Sequence, residues 1–274
     1  MYFTNEENDF LNYNKKYKKN DVSIALKEAG LLIEYTEKIC ELYFEYHTWD
    51  TVKQNWHKER ISTCGTRDSN QRILGILKRR LQSGEKNLPS IISLNNLLKN
   101  CQSEQEKAQI LFLYIMEDDP LVKYLIHELY ITQGCLPSEW NLDNEELFKI
   151  IKDFKYHDNN EIKYADSSLK RWVASFRTLL YECGLLQSRY SNGAEIPLLN
   201  DISLKVSAYY SWKLQKEDWV KYPLGWIYLF QPKNYWEILL DRLKDCSDWK
   251  VQYFQGKTIF EPADKIFRLK EDES

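Results

Sequence analysis

The segment 167–183 limits the possible folds of this chain more than any other part of its sequence. Its apolar residues recur at i, i+3, i+4 and i+7, the spacing of one face of an α-helix: Leu169, Trp172, Val173, Phe176, Leu179 and Leu180. Asp166 or Ser167 can cap the start of this helix, and Gly184 stands where a left-handed residue commonly ends one. The chain must therefore bury one long helical stripe against neighbouring elements.

The residues that follow this helix predict a β-hairpin. Residues 185–191 and 194–199 have the pattern of two short strands, and Asn192-Gly193 between them is the strongest two-residue hairpin signal. A helix that ends in Gly-Leu-Leu and runs into a hairpin is how a winged helix-turn-helix ends. In that motif the helix enters the major groove of DNA, and the hairpin wing reaches an adjacent groove or the backbone. We therefore expect a winged helix over residues 121–199.

The face of this helix opposite the apolar stripe carries cationic and small side chains. Its members are Lys170, Arg171, Ala174, Ser175, Arg177 and Thr178. Long cations on such a face reach phosphates or guanine edges, Ala174 permits close approach, and Arg189 lies on the wing. The alternatives are a winged helix used for protein contact or a plain solvated helix face, because such folds serve many functions.

A second basic segment, 60–82, precedes the first by about a hundred residues. Its cations face the single carboxylate of Asp68, which leaves a local net charge of +5: Arg60, Arg67, Arg72, Lys78, Arg79 and Arg80. Arg72 and Arg79, with Gly75 between them, can share an outer face that contacts phosphates. A charge run is usually a solvated face, and these arginines could instead pair with the acidic stretches 117–119 or 143–146 inside the protein.

The whole chain of 274 residues is predicted to be mainly α. With only 9 Gly and 7 Pro it has too few turn-forming residues for a many-stranded sandwich or propeller. We expect four parts, given in chain order: a flexible basic arm (1–20), a tri-helical, helix-turn-helix-like N-terminal unit (21–84), a helical region ending in the winged helix (85–200), and a small aromatic-rich α+β extension (201–274).

Periodicity and capping residues predict the boundaries of the other elements. In the N-terminal unit the expected helices are 22–46, 51–58 capped by Asp50, and 67–82 capped by Thr66. Further helical patterns follow at about 91–100, 104–116, 119–133 and 143–155. In the extension, 249–254 and 257–261 predict a second hairpin. Its dense aromatic residues are better explained by packing against the preceding part than by stacking on bases.

Signals for catalysis or for a bound cofactor are poor. The four histidines lie in no metal-ligand spacing, and the H-E-x-x-H pattern that starts at His127 fails because Ile131 stands where the second ligand is required. The sequence has no phosphate-binding P-loop, no dinucleotide fingerprint and no hydrolase elbow. Asp248 has no second acidic partner in the order that a nuclease site needs. We therefore expect a protein that is not an enzyme and needs no metal or cofactor.

The compartment is predicted from the cysteines and the apolar runs. The six cysteines are widely separated with no C-x-x-C pair, and the start of the chain lacks the features of a signal peptide. The longest strongly apolar run, 110–116, is far shorter than the roughly 20 residues of a membrane-spanning helix. We expect reduced thiols in a cytoplasmic protein with no membrane partner.

Taken in order, several short segments resemble the BrxA family of BREX phage-exclusion systems. The likeness spans about 20–200 and is carried by Ala25-Leu26, Glu34, Trp49, Asn55, Arg60, Thr66-Arg67, Arg72, Arg79-Arg80-Leu81, Ser167-Ser168-Leu169-Lys170-Arg171 and Glu182-Cys183-Gly184-Leu185-Leu186. The resemblance implies a compact helical DNA-binding protein of a bacterial defence island, encoded beside a methyltransferase, an ATPase and a phosphatase-like protein. The segment 201–274 is longer than this family pattern leads us to expect.

Together these features predict a non-enzymatic, double-stranded-DNA-binding component of a phage-defence system. Two other functions stay open, an assembly adaptor whose winged helix docks protein and a transcriptional regulator of the defence operon. Sequence-independent binding with a steep salt dependence favours the first function, and a defined operator favours the regulator. Co-purification with system partners without DNA binding favours the adaptor.

Overall fold

The computed structural model describes residues 17–59, 61, 66–254, 257–263 and 267. Within them the chain forms eleven α-helices and one two-stranded sheet: α1 (Ile33–Tyr46), α2 (Trp49–Lys58), α3 (Arg67–Gly84), α4 (Ile91–Asn100), α5 (Glu104–Asp118), α6 (Pro120–Gln133), α7 (Asn144–Lys152), α8 (Asp166–Glu182), α9 (Asp201–Gln215), α10 (Leu224–Tyr228), α11 (Trp236–Lys244), β1 (Trp249–Phe254) and β2 (Lys257–Pro262). The expectation of a mainly helical chain is confirmed.

The N-terminal unit departs from the predicted boundaries at its first helix. The single helix expected over 22–46 is wrong, because Leu32 adopts a left-handed φ of 48° and α1 begins only at Ile33. Before it, Ala25–Lys27 forms one 3-10 turn. Helix α2 is capped by Thr48, whose hydroxyl accepts from the amide of Thr51, rather than by Asp50. The periodicity of apolar residues could not reveal this interruption of the helix, because the apolar residues on both sides of Leu32 are buried in the same core.

Helix α8 lies where the sequence predicts it. All six apolar residues of its stripe are buried, and Gly184 follows it with φ 84°. A side chain at Gly184 would be strained by this backbone angle, and its Cβ would also displace the flexible end of the Gln105 side chain, whose Nε2 lies 2.3 Å from that position. The expected cap by Asp166 or Ser167 is wrong, because the capping position is Ala165 and has no side-chain acceptor.

The segment after α8, residues 186–194, is called the hairpin loop below. The two regular strands predicted at 185–191 and 194–199 are not formed. Instead Leu186 and Ala194 make one isolated antiparallel bridge, and Gly193 makes a second with Asn141. The chain reverses earlier than the Asn192-Gly193 signal indicates, at a turn closed by the amide of Ser191 on the carbonyl of Ser188, 3.2 Å apart.

Helix α5 forms the centre of the core and joins distant parts of the chain. Its Glu106 accepts from the amide groups of Ile202 (2.9 Å) and Ser203 (3.3 Å) at the start of α9. One turn further on, the amide of Gln109 donates to the carbonyl oxygen atoms of Cys183 (3.2 Å) and Leu198 (3.0 Å). Both polar side chains are buried, so their hydrogen bonds fix the end of α8 and the start of α9 against one helix.

The C-terminal extension packs most of its described aromatic residues inward, as the sequence predicts, whereas Tyr235 and Tyr253 are exposed. Trp219 and Trp226 are fully buried and meet edge to face, and the indole of Trp219 donates to the carbonyl of Phe260 at 3.0 Å. Strands β1 and β2 pair antiparallel with Trp249 opposite Pro262, which confirms the second hairpin. Its turn residues 255–256 lie outside the described residues.

Two further predictions fall wholly or partly outside the described residues. Most of the basic arm lies outside the described residues, whereas the carbonyl of Tyr17 accepts from the amide of His157 at 3.0 Å. Arg60 also lies outside them. In the part of the chain that is described, no helix combines the length and the apolar character needed to cross a membrane.

Candidate nucleic-acid interface

The exposed face of α8 carries Lys170 and Arg171 side by side. Lys170 leans toward α7, where its ammonium lies 3.8 Å from the carboxylate of Glu145 and 5.4 Å from the ring centroid of Phe148. Both charged side chains of that pair are mostly exposed, so the ion pair is weak and its cation can be shared with an anionic ligand. Arg171 is exposed and has no ion pair with any described residue.

The two hydroxyl residues of this face are less accessible than the cations. Ser175 and Thr178 are both half-buried. The hydroxyl of Thr178 donates back to the carbonyl of Ala174 at 3.1 Å, as threonines within helices commonly do. Ala174 itself is exposed and leaves room for close approach.

Arg177 does not belong to the exposed face, and that part of the sequence-based interpretation is wrong. The residue is only 5 % exposed, because it lies four positions after Val173, at the border of the apolar stripe. Burial lowers the pKa of its guanidinium below the ordinary arginine value. Its partners all lie in the hairpin loop or just before α7: the carbonyl of Leu142, the side chain of Asn192 (3.2 Å), and the carbonyls of Ser191 (2.9 Å) and Arg189 (3.3 Å).

The hairpin loop projects an arginine and a tyrosine beside α8. The guanidinium of Arg189 lies 5.6 Å from the ring centroid of Tyr181, within the range of a cation–π contact. The neighbouring Tyr190 is 93 % exposed. Sequence reasoning missed Tyr190, because residues 185–191 were predicted to form a strand and the turn was expected at Asn192-Gly193.

Two arginines of α3, Arg72 and Arg79, pair with carboxylates of the protein itself. Arg79 forms a bidentate ion pair with Asp118, with both nitrogen–oxygen distances 2.8 Å, and the Asp118 side chain is 3 % exposed. These hydrogen bonds raise the pKa of Arg79 above the ordinary arginine value. Arg72 lies 3.2 Å from both carboxylate oxygens of Glu28. For Arg79 the structure therefore has the internal pairing with the stretch 117–119 that was the alternative to phosphate contact.

The other cations of this segment differ in accessibility. Arg80 is buried and donates to the carbonyls of Gly30 (2.6 Å) and Ala29, so it does not belong to the exposed cations expected to contact DNA. Burial lowers its pKa to about 10. Lys78 lies over the ring of Trp49 at 5.1 Å. Arg67, at the first position of α3, is exposed and makes no ion pair with a described residue.

Side chains suited to metal chemistry are not gathered in the described part of the chain. No three His, Cys, Asp or Glu residues there are placed to hold a metal ion. Asp248, the acidic residue considered for a nuclease site, forms an ion pair with Lys205 at 2.8 Å. The structure does offer exposed cations near both ends of α8, Lys170 and Arg171 near its start and Arg189 beside Tyr181 near its end.

Comparison with protein families gives a match over most of the chain. The sequence model of one protein family, described as BrxA, matches residues 21–205, more than half of the chain. No curated protein matches it. The family match covers α1 to α8, the hairpin loop and the first residues of α9, so every candidate DNA-contacting residue lies within it.

Proposed function

The chain belongs to the BrxA family of BREX phage-defence systems, and from this premise we propose that it binds double-stranded DNA without being an enzyme. Family membership also associates it with the other components of such a system. Within the proposal, these partners are the methyltransferase, the ATPase and the phosphatase-like protein, and the site of action is the cytoplasm.

The topology around α8 supports a winged helix. In chain order, α6 is followed by Asn141, α7, α8 and the hairpin loop. The two isolated bridges place Gly193 and Ala194 between Asn141 and Leu186. This is the strand order of the small sheet in a winged helix, here reduced to single bridges. In that motif the last helix faces the major groove.

The exposed cations next to this helix are the observation that carries the proposal. Lys170 and Arg171 lie on the face of α8 away from the core, and Arg189 lies on the hairpin loop over Tyr181, about three helical turns further along α8. Cations of this kind contact phosphates and fix the register of the duplex, while a wing residue such as Tyr190 reaches a neighbouring groove. Because such contacts carry little sequence information, the expected binding is sequence-independent.

The test is a charge reversal, Lys170→Glu with Arg171→Glu, compared with Lys86→Glu and Lys99→Glu, two exposed lysines away from α8. Both double variants change the net charge by the same amount. We expect the first to weaken duplex binding at least tenfold and to lower the log-log salt slope by up to about 1.8, and the control to change affinity less than threefold. A folded Lys170→Glu, Arg171→Glu variant with wild-type affinity and slope would refute the proposal.

The same measurements separate the two other functions. A regulator of the defence operon would prefer one duplex sequence over competitor DNA by a factor of about a thousand or more. An adaptor would bind no duplex at low salt yet co-purify with the system's other components through α8. Either result would replace the proposed function.

A further inference from the structure

The C-terminal extension carries a groove that lies outside the family match. The groove has a volume of about 590 Å³ and lies between the 3-10 turn Lys216–Asp218, helix α11 and strand β2. Its floor is apolar and includes Val220, Leu240 and Ile259, each half-buried. A concave apolar surface of this size is in the range of ligand and peptide sites.

The rim of this groove is acidic. It has four carboxylates, Glu217, Asp218, Glu237 and Asp241, and two ammonium groups. Each lysine is paired within its own segment at 2.6 Å, one with Asp218 and the other with Asp241. Glu217 and Glu237 are exposed and form no ion pair with a described residue. The rim therefore has a net charge of −2 and two carboxylates available to a cationic ligand.

One wall of the groove is the outer edge of β2. The amide of Ala263 donates to the carbonyl of Asp248 at 2.8 Å, and because hydrogen-bonded pairs alternate in an antiparallel ladder, the backbone groups of Thr258 and Phe260 face away from β1. The indole of Trp219 accordingly donates to the Phe260 carbonyl from that side. The backbone amide and carbonyl of Thr258 have no hydrogen bond with a described residue. An unpaired strand edge of this kind accepts a further strand.

We propose that the groove binds an extended segment of a partner protein that carries alternating lysine or arginine and apolar residues. The segment adds to β2 through the backbone of Thr258, its apolar side chains contact the floor, and its cations meet Glu217 and Glu237. A second copy of this chain is a poorer occupant, because two rims of the same negative charge would face each other. This proposal does not depend on DNA binding.

The probe is a fluorescein-labelled peptide of three Lys-Val repeats, and its control is a peptide of three Glu-Val repeats, both measured by anisotropy with the full chain. We expect binding of the Lys-Val peptide, weakened at least tenfold in Glu217→Lys with Glu237→Lys. The matched control is Glu34→Lys with Glu139→Lys, two exposed carboxylates elsewhere, for which we expect less than a twofold change.

A second pair of variants tests the strand edge. Thr258→Pro removes the outward amide but no ladder hydrogen bond to β1. We expect this variant to bind the Lys-Val peptide at least tenfold more weakly, while its melting temperature stays near that of Thr258→Ala. Equal binding of the two peptides, no binding of the Lys-Val peptide, or full affinity in both groove variants would overturn the proposal. Tighter binding of the Lys-Val peptide after removal of residues 268–274 would also overturn it, because the chain's own terminus would then be the occupant. A dimer that the Lys-Val peptide dissociates would overturn it as well, because the occupant would then be a second copy of the chain.

Discussion

Replacing Arg177 by methionine, a side chain of similar length without donors, should destabilise the protein rather than remove a DNA contact. The guanidinium serves four acceptors, of which the carbonyl of Leu142 is buried and that of Ser191 is partly buried. Hydrogen bonds to charged groups contribute about 1.5–3 kcal/mol each, and the other two bonds, at 3.2 and 3.3 Å, are longer and are expected to contribute less. We therefore expect a loss of roughly 3–5 kcal/mol in the free energy of unfolding.

The assay is urea and thermal unfolding of Arg177→Met and Arg171→Met, with duplex affinity measured where both are folded. For a chain of this size the loss corresponds to a fall in melting temperature of roughly 10 °C. Arg171→Met should melt like the wild type and bind DNA more weakly. The reasoning is refuted if Arg177→Met melts like the wild type yet loses affinity as Arg171→Met does, because the guanidinium would then contact the duplex.

Four other outcomes follow from paired or buried charged groups and from two glycines. Arg72→Ala with Arg79→Ala should lower the melting temperature and leave duplex affinity within twofold; an unchanged melting temperature with weaker binding would return these arginines to the interface. Burial raises the pKa of Asp119 to about 7, so the folded carboxyl holds its proton more tightly than the unfolded one, and its favourable contribution is lost as pH rises from about 4 to 7. Asp119→Asn should therefore raise the melting temperature more at pH 8 than at pH 5. The corresponding gain in the free energy of unfolding has an upper limit of about 4 kcal/mol, and an equal rise in melting temperature at both pH values would contradict this reasoning. Gly225→Ala should prevent stable folding, because a Cβ there would meet the backbone of α9 at 2.0 Å. Gly75→Ala, with nothing within 4 Å, should stabilise α3 by up to about 1 kcal/mol, as urea melts of both variants would show.

Helix periodicity predicted the fold well wherever a stretch of chain met one core surface along its whole length. Helix α8 is such a case, and α4 spans the residues at which it was predicted, whereas the β1–β2 hairpin was predicted from its strand pattern. The prediction failed at Leu32, where the left-handed backbone angle depends on how the segment before α1 fits the core. Long-range packing of that kind leaves no local pattern in the sequence.

The candidate interface was predictable in part for a related reason. A helical wheel places Lys170 and Arg171 outside correctly, because both are far from the apolar stripe. It cannot place Arg177 or Arg80, which lie at the border of an apolar face and turn inward to carbonyl groups supplied by remote loops. The groove of the extension was not predicted at all, since three separate segments create it.

The two hydrogen-bonding side chains of α5 give the molecule the character of a rigid spacer. Glu106 and Gln109 are less than one helical turn apart, yet one fixes the start of α9 and the other fixes the chain on both sides of the hairpin loop. Because a buried helix does not stretch, a segment bound to β2 would lie at a constant distance and angle from any duplex bound to α8. Such a protein would act as a ruler, setting how many base pairs separate its own footprint from that of its partner.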